Sequence, residues 1–273
     1  MINYNTNEQV YNVRENEALL PQVSSVVCVL VQRGLFIAGF NAVNELLTIQ
    51  YSGYNRNRPV WELDFYEHIF SNEDILADKN KVKGVFINSD KNIIVPEELY
   101  TENDAKSWLK RVHYVEHSDA VTDYALHDEP ATFVHAVPVN IAELVKIHFK
   151  SAVILPLSVY QLRNPNKRPV SMQLCLSNEQ VCVSVHRGGR LQWHKVFGGS
   201  SAEDIAYQLN LYCKQNNIDT SGLYVTCTAF SAAEYDRIND LTQYFPGIVT
   251  GNGAINGIWH PAISLSQQLL ACV

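Results

Sequence analysis

A three-strand pattern that occurs twice constrains this chain more than any other feature of its sequence. Residues 26–32, 35–40 and 45–51 are apolar runs of strand length, joined by tight turns at Arg33-Gly34 and around Asn41 to Asn44. Met172, 146 positions after Val26, opens the same arrangement over 172–177, 180–186 and 190–197, with turns at Asn178-Glu179 and Gly188-Gly189. Gly-Gly is a strong hairpin signal because both residues take positive φ without steric penalty. A meander repeated at domain-scale spacing means two copies of one half-fold, and 273 residues accommodate two domains.

The segments after the two meanders are also alike. After a loop over 52–59, Trp61, Phe65, Ile69 and Leu76 fall at helical spacing, with Leu63 and Tyr66 beside them. In the second half Ser201 is an N-cap with Asp204 as its acidic partner, and Ile205, Leu209, Tyr212 and Cys213 form the apolar stripe. Strands are expected next, at 82–88 and 223–228. The second half continues with a helix over 232–244, a strand over 247–250 and an amphipathic segment over 262–270. The first half carries additional material. Residues 92–95 read as a strand hairpinned to 82–88, and Pro96-Glu97-Glu98-Leu99 reads as a helix start, with a further helix over 104–111. A strand over 132–139 ends at Pro138, Asn140 caps a helix over 141–149, and 152–155 is a buried strand. The segment 162–169, with two prolines, is the natural connection. The expected organisation is a flexible segment over 1–19, a first domain over 20–161 and a second over 162–273. Each domain is β-β-β-α-β-α-β, an α/β fold of mixed sheets covered by helices.

A doubled meander, helix and strand resembles the ribonuclease H-like fold in tandem, the two-half arrangement of the actin, sugar-kinase and Hsp70-type ATPases. The passage Val134-His135-Ala136-Val137-Pro138-Val139-Asn140 with its helix, then Ala152-Val153-Ile154-Leu155 and residues 157–162, is similar to the strand–helix–strand of pilus and cell-division actin-like scaffold proteins. From about Leu20 onward the chain resembles an uncharacterised bacterial family with an actin-like ATPase fold.

That resemblance implies where nucleotide chemistry would sit. Asp-x-Gly loops at the two meander turns cradle phosphates with backbone amides and hold Mg²⁺ through carboxylates, and a Gly-Gly loop in the second half accepts the adenosine. The matching phosphate-loop positions here are Gln32, Arg33 and Gly34, then Ser177, Asn178 and Glu179; the adenosine positions are Thr226, Cys227 and Thr228, followed by Ala229 and Phe230. Neither turn has Asp, the second lacks Gly, and the adenosine position has no glycine. The expectation is an ATPase fold without its ATPase site and with no cofactor.

Composition narrows the function classes. With 21 Lys+Arg against 28 Asp+Glu the net charge is −7, which is not the surface of a nucleic-acid binder. Residues 1–17 are polar and are not a signal peptide, and no apolar run approaches a membrane span, so the expected compartment is the cytoplasm. Cys28, Cys175, Cys182, Cys213, Cys227 and Cys272 form no CxxC pair and read as buried apolar residues. If a turn centres on Asn178-Glu179, Cys175 and Cys182 stand opposite each other, which leaves a redox role open.

Other candidate sites are few. His113-Tyr114-Val115-Glu116-His117 matches the H-x-x-E-H pattern of inverted zinc peptidases, with His113 and His117 as ligands and Glu116 as base. The pattern needs a helix, whereas Val112 to Val115 favours extended chain, in which the histidines stand about 13 Å apart; the alternative reading is a polar surface segment. A nuclease would need carboxylates on the first strand of a half-domain, and 26–32 and 172–177 have none. Arg56, Arg58, Arg163, Lys167 and Arg168 lie in two similar loops that would bind an anion if they met at the cleft; solvated loop charges are the alternative. Trp193, His194, Trp259 and His260 read as packing residues, and Gly251-Asn252-Gly253 as a turn. The expectation is a non-catalytic cytoplasmic scaffold that binds a protein partner or a second copy of itself. A nucleotide or anion binder with an unusual cleft is the alternative, and a zinc hydrolase a further one.

Overall fold

The computed structural model describes residues 7–13, 19–55, 57–126, 129–163, 168–177, 180–199, 201–231, 234–250, 254–255 and 258–273. The first half opens with β1 (Asn7–Asn12), then the meander β2 (Ser25–Val31), β3 (Gly34–Phe40) and β4 (Leu46–Gly53). The strands pair antiparallel in turn, Val31 opposite Gly34 across the first hairpin. The sequence predicts a flexible segment over 1–19, but β1 lies along β4 from Asn7↔Gly53 to Asn12↔Thr48 and lengthens the sheet. Strand β2 is apolar throughout because both its faces are covered. Val26, Cys28 and Leu30 enter one core cluster, and Val27, Val29 and Val31 enter another on the opposite face.

Helix α1 (Leu63–Asn72) returns the chain so that β5 (Val82–Ile87) can pair parallel with β2. An inserted module comes next: β6 (Asn92–Pro96), α2 (Ala105–Leu109), β7 (Asp119–Leu126) and β8 (Ala131–Pro138). Here the expected hairpin between 82–88 and 92–95 is wrong. Strand β5 already lies between β2 and its parallel neighbour β9, so neither edge is free, and β6 pairs with β8 in a separate sheet ordered β6-β8-β7. The helix expected from Pro96 is a single 3-10 turn over Glu97–Leu99, and strand β7 is not expected from the sequence pattern. Helix α3 (Val139–His148) starts directly after Pro138, so Asn140 lies inside its first turn and not at the cap. Strand β9 (Val153–Pro156) is a sheet edge, with Val153 and Ile154 exposed and not buried. Helix α4 (Val159–Arg163) leads to the second half.

The second meander is β10 (Val170–Leu176), β11 (Gln180–Arg187) and β12 (Arg190–Gly198). Gly188 and Gly189 have φ of 58° and 81°, as their hairpin turn requires. Helix α5 (Ala202–Gln215) begins as expected, with Ser201 Oγ accepting from the Asp204 amide at 3.1 Å. Then come β13 (Tyr224–Ala229), α6 (Tyr235–Leu241), β14 (Ile248–Thr250), the short pair β15 (Ala254–Ile255) and β16 (Ile258–Trp259), and α7 (Ala262–Leu270). The two sheets share one order, β4-β3-β2-β5-β9 and β12-β11-β10-β13-β14, so the repeated meander is a repeated half-fold. The last helix does not stay with its own half. It packs on β2, β4 and β5 as well as on β13. One apolar cluster therefore joins Val29, Phe36 and Phe86 of the first half to Cys175, Cys182 and Phe230 of the second, with Ile263 and Leu265 of α7 between them.

Candidate functional site

At each of the three positions that the resemblance marks for nucleotide chemistry, the described residues are engaged by the chain itself. At the first turn the loop after β4 folds back over Gln32 and Arg33. The Gln32 carbonyl accepts from the Trp61 amide at 2.8 Å, the Tyr54 amide donates to the Arg33 carbonyl at 3.2 Å, and Arg33 Nε donates to the Arg58 carbonyl at 3.1 Å. Trp61 holds φ of 60° to make this contact, an unusual conformation for a bulky residue. The Tyr66 hydroxyl, wholly buried, donates to the Val31 carbonyl at 2.5 Å, and burial raises its pKa well above the usual phenol value. Gly34 has a local reason to lack a side chain. A Cβ there would stand 2.6 Å from Tyr51 Oη.

At the second turn Asn178 and Glu179 lie outside the described residues. Beside them, Ser177 Oγ accepts from the Gln180 amide at 3.1 Å, and the Ser177 carbonyl accepts from Arg237 Nη2 at 2.5 Å. Arg237 of α6 also donates to the Gly199 carbonyl at 2.9 Å and forms an ion pair with the largely buried Glu234. The guanidinium thus ties Ser177, after β10, to Gly199, after β12. Across the cleft Asn88 Nδ2 donates to Gln180 Oε1 at 3.1 Å.

At the adenosine position Thr226, Cys227 and Thr228 are interior residues of β13. Thr226 Oγ1 donates to the Met172 carbonyl at 3.4 Å, Thr228 Oγ1 donates to the Leu174 carbonyl at 3.2 Å, and the Cys227 thiol is buried with its pKa raised by desolvation. Phe230 comes next, 1% exposed, with its ring 5.5 Å from that of Phe36 on β3.

Beneath β11 lies a buried polar chain. Ser184 Oγ is 2.9 Å from Gln161 Oε1 and 2.8 Å from His194 Nδ1. Gln161 Oε1 only accepts, so Ser184 donates to it, His194 Nδ1–H donates to Ser184, and His194 Nε2 is left a lone pair with no partner. Burial, with His186 nearby, lowers the His194 pKa to about 3. Cys175 and Cys182 are directly opposite in the β10–β11 ladder, as their spacing predicts. Both are free, and burial raises Cys175 to about 11 and Cys182 further, which makes their thiolates scarce.

The zinc pattern does not assemble. His113, Glu116 and His117 lie in irregular chain between α2 and β7. His113 Nε2 is 2.9 Å from the Asn92 carbonyl, the Glu116 carboxylate receives the Ser118 hydroxyl at 3.3 Å, and His117 is exposed. Among the described residues no three His, Cys, Asp or Glu are grouped to hold a metal ion. The basic loops do not converge either. Arg58 pairs with Glu62 at 3.1 Å, Arg163 donates to the Cys272 carbonyl at 2.8 Å, and Arg168 lies 3.8 Å from the Tyr224 ring centroid. Arg56, Lys167 and the Gly251 to Gly253 turn lie outside the described residues, as does the Trp259 side chain.

An open site exists elsewhere. A cavity of about 710 Å³ opens between the inserted module and β12, which also touch through Phe133 and His194, rings 5.5 Å apart, with Ile93, Ile94 and Pro96 on one wall and Leu191, Trp193 and Val196 on the other. Sequence reasoning missed it because it depends on which strand edges are left unpaired. Arg237, inside α6, and Asn88 and Gln180, at strand ends, were also missed, since single polar residues carry no periodic signal.

The family described as Protein of unknown function (DUF3822) matches residues 28–248. No curated protein matches the chain. A crystal structure from Bacteroides thetaiotaomicron VPI-5482, of a protein with actin-like ATPase fold and unknown function, is 15% identical with a TM-score of 0.74, covering 94% of this chain and 100% of that one. The PilM-PilN type IV pilus biogenesis complex gives 12% identity and a TM-score of 0.57, covering 93% of this chain and 100% of that one. The fold is therefore the actin-like ATPase fold.

Proposed function

This chain belongs to the DUF3822 family, and from that premise we propose that it is a catalytically silent protein of actin-like ATPase fold that acts by binding a protein partner in the cytoplasm. The boundary between its two halves falls at 161/162. The observation that carries the reading is the Phe36–Phe230 pair, part of an apolar cluster that fills the inter-half cleft where adenosine would lie. The carbonyl-fastened turns at Arg33 and Ser177 support it, because phosphate needs amides and metal needs carboxylates at those places. One structure of similar fold is of a complex, PilM with PilN, which fits a chain of this fold that works through a protein partner. Among the described residues no helix is long and apolar enough to cross a membrane.

The test is thermal. A ligand that binds only the native state at about 100 times its Kd adds ~2.7 kcal/mol, or several degrees in Tm. Millimolar Mg-ATP is expected to leave Tm unchanged. A rise of several degrees would overturn the silent reading.

A further inference from the structure

We propose that the groove between β6 and β12 takes an extended, basic segment of a partner protein as an added strand on β12, an inference that rests on the partner-binding reading above. The first support is an open strand edge. The Ser177 amide donates to the Gln180 carbonyl, so Gln180, Cys182 and Ser184 aim their backbone groups at β10, and Val181, Val183 and Val185 aim theirs at β12. Those three stand opposite Phe197, Lys195 and Trp193, which leaves the N–H and C=O groups of His194 and Val196 directed into the groove. β12 is the outermost strand of its sheet.

The facing edge is blunted, which selects β12 as the acceptor. Lys91 receives the Ala136 amide, so Asn92, Ile94 and Pro96 turn outward on β6. The Asn92 carbonyl is engaged by His113, its amide donates to the Asp90 carbonyl, and Pro96 has no N–H. The groove already contains one strand-like contact: Glu129 Oε1 accepts the Leu191 amide at 2.7 Å, at the end of β12 where the ladder slips. Six consecutive residues, Leu191 to Val196, line the wall, a span of about 20 Å in extended chain.

Charge decides the occupant. Residues 88–139 contain ten Asp+Glu and four Lys+Arg, a net of −6 out of the chain's −7. Asp90 and Glu129 line the groove, with Lys195 the one cation among its described residues. Glu97 lines the adjoining cavity with Glu129, and Glu98 is next in the chain, so the acids outnumber the cation. A basic extended segment satisfies both the backbone edge and this field, whereas a second copy of the chain would bring another acidic module against the first.

The test screens the full-length protein against displayed random peptides of about seven residues, the length that spans the groove. Enriched peptides are expected to be rich in Lys and Arg, and their affinity to fall at least about tenfold in D90K/E97K/E98K, three solvent-side changes that spare the core. Hydrogen exchange with the best peptide is expected to slow at the His194 and Val196 amides. Binding without that protection overturns the added strand, and acidic or absent enrichment overturns the basic partner. Self-association of the free protein that D90K/E97K/E98K abolishes would assign the groove to a second copy and overturn the proposal. The Mg-ATP result is separate: no thermal shift together with no peptide would remove this inference and leave the silent reading in place.

Discussion

Asn88 Nδ2 donates to Gln180 Oε1 at 3.1 Å, and these two side chains, 2% and 3% exposed, tie the end of β5 to the start of β11 across the cleft. Asn88→Ala or Gln180→Ala leaves the other amide buried without its partner and is expected to cost about 1–3 kcal/mol. The double variant should cost less than the sum, with a coupling of about 1 kcal/mol in urea unfolding. Strict additivity would mean that the pair does not hold the halves together.

Phe230→Ala removes a fully enclosed ring from the cluster shared by both halves. The expected loss is about 3–5 kcal/mol, the transfer term plus the cavity left between the halves. Phe230→Leu should cost less than half of that. Denaturant titration reads both, and a loss under about 1 kcal/mol for the alanine would show that the cleft is not packed as described.

The buried His135, His186 and His260 and the half-buried His194, all with lowered pKa, set an acid dependence. Burial lowers His135 and His260 to about 4 and His194 to about 3, with Asp123 opposing the shift at His135 and His186 adding to it at His194. In the unfolded chain each titrates near 6.5. Below about 6.5 the unfolded state binds protons that the folded state excludes, so stability is complete above that pH and falls as pH drops toward 4. Each histidine contributes about 1.4 kcal/mol per pH unit in that window. Unfolding free energy should decline between about pH 7 and about pH 5, and less steeply in His194→Phe. A flat profile would contradict the burial of these rings.

The repeated meander was readable because most of its strands, β12 excepted, are covered on both faces, and double burial writes itself as continuous apolar runs such as Val26 to Val31. Helix α5 was readable from Ser201 and α7 to the residue, since caps and stripes are local. The inserted module was not. Strand β7 alternates weakly, with Thr122 and Asp123 both exposed or nearly so, and β6 found its partner in β8 because β5 had no free edge, a fact of sheet order that no local pattern carries. Strand β1 is polar and held by backbone pairing, so its sequence resembles a loop. At the cleft, the missing Asp and Gly residues were legible as absences. The groups that stand in their place were only partly so: Phe230 is conspicuous, but Trp61, Tyr54 and Arg237 reach the turns from other elements through φ values and carbonyl contacts that a sequence does not encode locally.

The apolar cluster that runs from Phe36 through α7 to Cys182 has a mechanical consequence. Domain closure by hinge or shear needs an interface that can separate and re-form without tearing a core. With one core between them the two halves are a single cooperative body that should melt in one calorimetric transition. Parting the halves would therefore expose Phe36, Phe230 and the α7 side chains to water, so the hydrophobic effect itself holds this interface shut.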